Sequence, residues 1–144
     1  MALPLTHPAN QDSTILVIED DLLVAEVIIS MLEDEGYTVQ SARSADEAMQ
    51  ILANRQFGLV LCDIGLPGMM DGLSLAKTLR LSNPSIRILL ITGRGDMAVD
   101  AAMDFIVLKK PFGLVELARI VAWALRDGGS PYLEAGRPSA RDLN

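Results

Sequence analysis

The sequence predicts a doubly wound α/β fold: a parallel sheet covered by helices on both faces. Three observations carry this. Five short apolar runs, each closed by polar or turn residues, read as strands buried on both faces. Stretches of helical spacing separate them, the alternation that produces parallel sheets. The runs also end in a consistent set of polar residues, Glu19 and Asp20, Asp63, Thr92, and Lys110. In a parallel sheet these ends share one rim, the edge at which open α/β sheets bind ligands.

Met1 to Ser13, with Pro4, Pro8, Asn10 and Asp12, reads as a loose leader. Thr14 to Ile18 is the first strand and runs into Glu19-Asp20-Asp21. Three adjacent acids repel one another, a cost tolerated where something positive offsets it. Asp21 is explained as the N-cap of the helix from Leu22 to Glu35, which Gly36 stops. Tyr37 to Ala42 is a second strand. Ser44-Ala45-Asp46-Glu47 is a capping box opening a helix that ends near Arg55.

Leu59 to Cys62 is the most apolar strand, and Asp63 closes it, followed by Gly65, Pro67 and Gly68. A third helix follows Asp71-Gly72 and carries Arg80 near its end; Asn83-Pro84 breaks the pattern. Ile86 to Ile91 is the fourth strand, ending in Thr92-Gly93-Arg94-Gly95. Asp96 to Met103 is short and weakly patterned. Phe105 to Leu108 is the fifth strand, ahead of Lys109-Lys110-Pro111-Phe112, and Leu114 to Arg126 is the last helix. The expected division is a leader over 1–13, a folded domain over 14–127 and a tail over 128–144, too short and polar for a second domain.

Composition narrows the function. The chain has 144 residues, is 50% apolar and carries a net charge of −7, with no cluster of Lys or Arg. Nucleic-acid affinity depends on basic residues facing phosphates, so no nucleic-acid partner is expected. No apolar run is long enough to span a bilayer, so no membrane partner is expected either. Cys62 is the single cysteine, which fits a reducing compartment. A cytoplasmic domain is the expectation.

The strand ends suggest the chemistry. Three carboxylates, a hydroxyl and an ammonium facing one crevice suit a divalent cation together with a phosphoryl group. Mg²⁺ takes a few carboxylates and otherwise keeps water and phosphate oxygens. A carboxylate can act as a nucleophile and carry phosphate covalently. The ion and an ammonium then neutralise charge on the transferring oxygens.

At these residues the chain resembles the response-regulator receiver family of two-component signalling. The matching pieces are Ile15 to Asp21, Asp63 with Leu66-Pro67-Gly68, Asp71-Gly72, Thr92-Gly93 and Lys110-Pro111-Phe112. Each is weak alone; all of them in order over about Thr14 to Arg126 are specific. The resemblance implies a flavodoxin-like fold with strand order 2-1-3-4-5. It implies that Asp63 is the phosphoacceptor and that Mg²⁺ is held by Asp20, by Glu19 through water, by Asp63 and by the main-chain carbonyl of Gly65. Thr92 would bond the phosphoryl group, Lys110 would pair with it, and Lys110-Pro111 would be cis. The implied donor is a sensor histidine kinase or a histidine phosphotransfer protein, and the output is an unspecified downstream protein. The only implied catalysis is the domain's own phosphorylation and dephosphorylation. Cys62 should point away from Asp63 into the core.

Some positions depart from the family. The loop from Leu66 to Gly72 is one residue longer than usual, and Thr92 to Lys110 is about one helical turn short, so a stunted or disordered fourth helix is expected. Val107 stands where the family usually carries a switch aromatic, with Phe105 nearby. Gly93 leaves the phosphoryl pocket unobstructed, and Gly65 and Arg94 occupy positions that tune phosphate lifetime. On the last helix, Leu114, Leu117, Ala118, Val121 and Leu125 form the expected core face, with Ile120 and Trp123 outside it. Leu23 and Val27 also edge out of the first helix's core arc, so a homodimer through Leu23, Val27, Ile120 and Trp123 is an expectation. The leading reading is a stand-alone receiver. The alternatives are a pseudo-receiver acting as a phosphorylation-independent interaction module, and a phosphohydrolase. The last generally has a second Asp two residues beyond its nucleophile, where this chain has Gly65.

Overall fold

The structure is a computed structural model that describes residues 13–128. Five strands form one sheet: β1 (Thr14–Ile18), β2 (Thr38–Ala42), β3 (Leu59–Asp63), β4 (Ile88–Thr92) and β5 (Ile106–Lys109). All neighbours are parallel and the order is β2-β1-β3-β4-β5. The helices are α1 (Leu22–Asp34), α2 (Ala45–Asn54), α3 (Gly72–Ser82), α4 (Gly95–Ala101) and α5 (Leu114–Trp123), which runs into a wider π-type turn over Ala124–Gly128. This is the predicted architecture. Most of the expected leader and tail lies outside the described residues, but Ser13, assigned to the leader, is buried.

The period of two along a strand divides the core. Ile15, Val17, Leu59, Leu61, Leu89 and Ile91 face Ile28 and Leu32 of α1 and Leu117 and Val121 of α5. Leu16, Ile18, Val60, Cys62, Ile88 and Leu90 face Ala48 of α2 and Leu75, Ala76 and Leu79 of α3. Every residue of β1, β3 and β4 is buried, which explains their unbroken apolar sequence. β2 alternates in burial because it lies at the sheet edge.

The helix starts follow their sequence signals. Asp21 Oδ1 accepts the N–H groups of Leu23 and Val24 at 3.0 and 3.2 Å, and Ser44 Oγ accepts that of Glu47 at 3.2 Å. Asp71 caps α3 through Ser74 N–H at 2.8 Å. Gly36, at φ 97°, closes α1 in the left-handed region that only glycine enters cheaply.

Three expectations are corrected. β4 starts at Ile88 rather than Ile86. β5 starts at Ile106, so Phe105 precedes it. On α5 the buried stripe is Leu117, Ile120, Val121 and Ala124, while Leu114 is 44% exposed. Ile120 is therefore core and cannot serve the expected dimer surface. The helix is apolar around most of its circumference, so its wheel has no unique inner face, and its contact with the sheet chooses one. Leu23 and Val27 are exposed as expected, and Trp123 is half-buried.

Candidate functional site

Strand register brings the polar ends level. Ile18 pairs with Cys62, which sets Glu19 beside Asp63. Asp63 pairs with Ile91 and Thr92 with Lys109, so Thr92 and Lys110 each lie one residue further along the same rim. Backbone hydrogen bonds continue past the strands, from Ile64 N–H to Ile91 O at 2.8 Å and from Lys110 N–H to Thr92 O at 2.8 Å. These bonds hold the chain ends in place where the strands stop.

The Lys110 ammonium bridges two acids. Its Nζ donates to Glu19 Oε1 at 3.1 Å and to Asp63 Oδ2 at 3.2 Å. Asp63 Oδ1 accepts the Gly65 N–H at 3.0 Å, and Glu19 Oε2 accepts that of Asp21 at 3.2 Å. Lys110 is the positive group that the acid run requires. Glu19 is 1% exposed, whereas Asp20 next to it is open to solvent. One carboxylate of each reach, plus that of Asp63, converge: ligand oxygens from Glu19, Asp20 and Asp63 all lie within 4.8 Å of one another. Oxygen donors this close, partly open and only partly neutralised by one ammonium, fit a hard divalent cation.

The electrostatics agree with a crowded anionic site. Burial raises the Glu19 carboxyl to about 7; the Asp21 N–H and Lys110 oppose the rise and the Asp63 charge adds to it. Burial pulls the Lys110 ammonium down, but Glu19 and Asp63 outweigh it and its pKa is raised overall. Lys110 therefore remains a cation. Burial also pushes the Cys62 thiol far up, with the Asp63 charge adding to it. Cys62 is 1% exposed and packs in the α2/α3 core, as expected.

Thr92 is buried at the end of β4. Its Oγ1 accepts the Arg94 N–H at 3.0 Å and donates to the Arg94 carbonyl at 3.4 Å. The hydroxyl is thus held by its own loop rather than by the acids. The Lys110-Pro111 bond is cis. A Cβ on Gly93 would meet no protein atom, so packing does not require glycine there. The fourth helix is formed but short, seven residues over Gly95–Ala101. Val107 is half-buried against the same core as Phe105, and Phe105 is only 4% exposed.

Two features escaped the sequence reading. A Cβ on Gly72 would overlap the carbonyl of Asp63, so this glycine lets α3 start directly against the end of β3. The Asp-Gly pair signals a turn but not which backbone approaches it. The second is Arg80, whose guanidinium lies 4.3 Å from the Phe105 ring centroid and whose Nη1 donates to Asp104 O at 2.8 Å. Nothing in the local sequence links residues so far apart.

Residues 15–122 match the model of the family described as response regulator receiver domain, and the chain belongs to that family. Its fold is the CheY-like receiver fold. Among its relatives, the nitrogen assimilation regulatory protein NtrX of Azorhizobium caulinodans is 36% identical over 118 residues, covering 77% of this chain and 26% of NtrX. The two-component response regulator PhoP of Pseudomonas aeruginosa is 35% identical over 139 residues, covering 90% of this chain and 60% of PhoP. The chain thus spans between a quarter and three-fifths of these relatives. Among solved structures, the receiver domain of NtrX from Brucella abortus superimposes with a TM-score of 0.74 at 30% identity, covering 78% of this chain and 98% of that one. TrrA from Thermotoga maritima, solved in complex with Mg²⁺-BeF, gives a TM-score of 0.73 at 27% identity, covering 77% and 97%. No described helix is long and apolar enough to cross a membrane.

Proposed function

We propose that this receiver domain accepts a phosphoryl group on Asp63 from a phosphohistidine donor, in a reaction that depends on Mg²⁺, and signals through partner binding. The observation that carries this reading is the Lys110 ammonium bridging Glu19 and Asp63 beside the three converging carboxylates. Glu19, Asp20 and Asp63, with the Gly65 carbonyl, are the groups that would hold the cation. When bound, the cation supplies charge neutralisation on the phosphoryl oxygens.

The protein's residues do the rest. The Asp63 carboxylate forms an O–P bond as the histidine N–P bond breaks, and the departing imidazole nitrogen takes up a proton. The product is an aspartyl phosphate, a mixed anhydride that water later hydrolyses to restore Asp63. Lys110 is already within reach of Asp63 and offers its ammonium to a phosphoryl oxygen. Thr92 offers its hydroxyl once it leaves Arg94. The domain turns over no other substrate in this scheme. The donor class is a sensor histidine kinase or a histidine phosphotransfer protein, and the site is cytoplasmic.

Incubation with acetyl phosphate and Mg²⁺, followed by intact mass, tests the reading. The expected result is one added phosphoryl group that Asp63→Asn abolishes. No gain would favour a phosphorylation-independent interaction module, the reading that Val107 in place of the family's aromatic keeps in play. Continuous consumption of donor would instead indicate a hydrolase.

A further inference from the structure

The edge of the sheet opposite the acidic site carries a second concavity. It lies where the chain enters β3 and β4, between the last turn of α2 and the end of α3. Its volume is about 390 Å³, within the range of small-ligand sites. Leu52, Phe57, Leu79 and Ile86 give it apolar walls, and Arg55 and Arg87 are its charged residues. No residue lining it is acidic. That is a marked contrast in a chain with 19 acidic and 12 basic residues.

The cationic wall is pre-arranged. The Arg55 guanidinium stacks over the Phe57 ring, 4.8 Å from its centroid, and its Nη1 donates to Gln40 Oε1 at 2.7 Å. Phe57 is 8% exposed and belongs to the core, so the ring under the guanidinium is a fixed base. A guanidinium has five N–H donors in a rigid plane, so the bond to Gln40 orients it without exhausting it. Arg87 is placed by the sheet: its carbonyl accepts the Val60 N–H at 2.9 Å, at the mouth of β4. The main chain of Gly58, which also lines the concavity, is tied to β1 through Thr14 O at 2.9 Å. Both cationic side chains therefore spring from backbone anchored in the sheet.

We propose that this concavity is a second binding site, selective for a small organic anion that joins a flat apolar body to one acidic group. The apolar walls accommodate the body and the arginines pair with the acid. Two guanidinium groups with no lining carboxylate disfavour cations, and the enclosed volume suits a small molecule rather than a polymer. The site is distinct from the acidic one: β3 leaves the concavity at Gly58 and reaches Asp63 at its far end.

A suitable probe is 8-anilinonaphthalene-1-sulfonate, a flat aromatic monoanion with fluorescence that rises on binding. It is titrated into the full chain with Mg²⁺ present, and binding is mapped by amide NMR shifts. The expected result is one saturable site, with shifts concentrated in 52–58 and 79–87. The Arg55→Gln/Arg87→Gln variant should bind about tenfold or more weakly, the loss expected for a charge-assisted contact. The uncharged analogue N-phenyl-1-naphthylamine should bind the native chain more weakly than the sulfonate. Leu23→Gln, which removes an exposed apolar side chain on α1, should change nothing. The circular dichroism melt of the double variant, and its phosphoryl gain from acetyl phosphate, verify that it is folded; if it is not, the comparison of charged and uncharged probes on the native chain decides. The proposal is overturned by absence of saturable binding, by equal affinity for the two probes, by unchanged affinity in a folded double variant, or by shifts centred on α1.

Discussion

The two halves of the acidic pocket differ in what supports them. Glu19, Asp20 and Asp63 leave β1 and β3, strands with a neighbour on each side, and the helices that follow are 13 and 11 residues long and capped by Asp21 and Asp71. Thr92 leaves β4, and the helix that follows is only seven residues long. The acids are tied to one another through Lys110, whereas the Thr92 hydroxyl is tied only to Arg94 in its own loop. The half that holds charge is thus built for fixed geometry, and the half that holds the hydroxyl is attached to the least supported segment. Short helices with few buried contacts open at low free-energy cost. In a domain that lacks the usual aromatic at Val107, we place the response to phosphorylation in that segment.

The largest break in this comparison is chemical. Asp63→Asn should abolish phosphoryl incorporation altogether, while Thr92→Val should slow it and still permit it; intact mass over a time course separates the two. Stability gives the next contrast. Gly72→Ala forces a methyl group into the Asp63 carbonyl and should cost on the order of 3 kcal/mol in urea unfolding, as severe overpacking does. Gly93→Ala faces open space and should leave the unfolding midpoint almost unmoved.

Acid titration sharpens the charged half. In chelated, Mg²⁺-free buffer the folded-state pKa of Glu19, about 7, exceeds its ordinary value of 4.5. The folded state then binds the proton more tightly than the unfolded state. This contribution to stability is complete below the unfolded value and is lost as pH rises through the folded one. The melting temperature of the metal-free protein should therefore fall between about pH 5 and 7.5, and Glu19→Gln should flatten the fall. An unchanged slope in that variant would assign the effect elsewhere.

The responsive half is probed by amide exchange with and without beryllofluoride. Protection should change from Gly93 to Phe105 and stay constant over α1; constancy in both would refute the placement above. The smallest expected effect concerns the far end of that segment. Arg80→Met removes a guanidinium from the face of Phe105 and should cost about 1 kcal/mol, with faster exchange confined to the turn around Asp104.

Much of this molecule was legible in one dimension. Strands buried on both faces need apolar residues at every position, so β1, β3 and β4 declare themselves. The caps Asp21 and Ser44 act on N–H groups two or three residues away, within the reach of a local motif. The positions of Glu19, Asp63, Thr92 and Lys110 at strand ends followed from the same runs. The start of β5 was misjudged because Phe105 is as apolar as a strand residue; its burial comes from packing under Arg80 and against α3, not from the ladder.

What the sequence alone determined was therefore the set of elements and the rim they share, because both follow from interactions between near neighbours. Only the tertiary structure decided that Glu19 is enclosed while Asp20 is open, that Ile120 faces inward, that Gly72 must admit a carbonyl and that Arg80 reaches Phe105. Each of these depends on surfaces brought together from distant parts of the chain, and a pattern of residue types holds no record of which surface meets which.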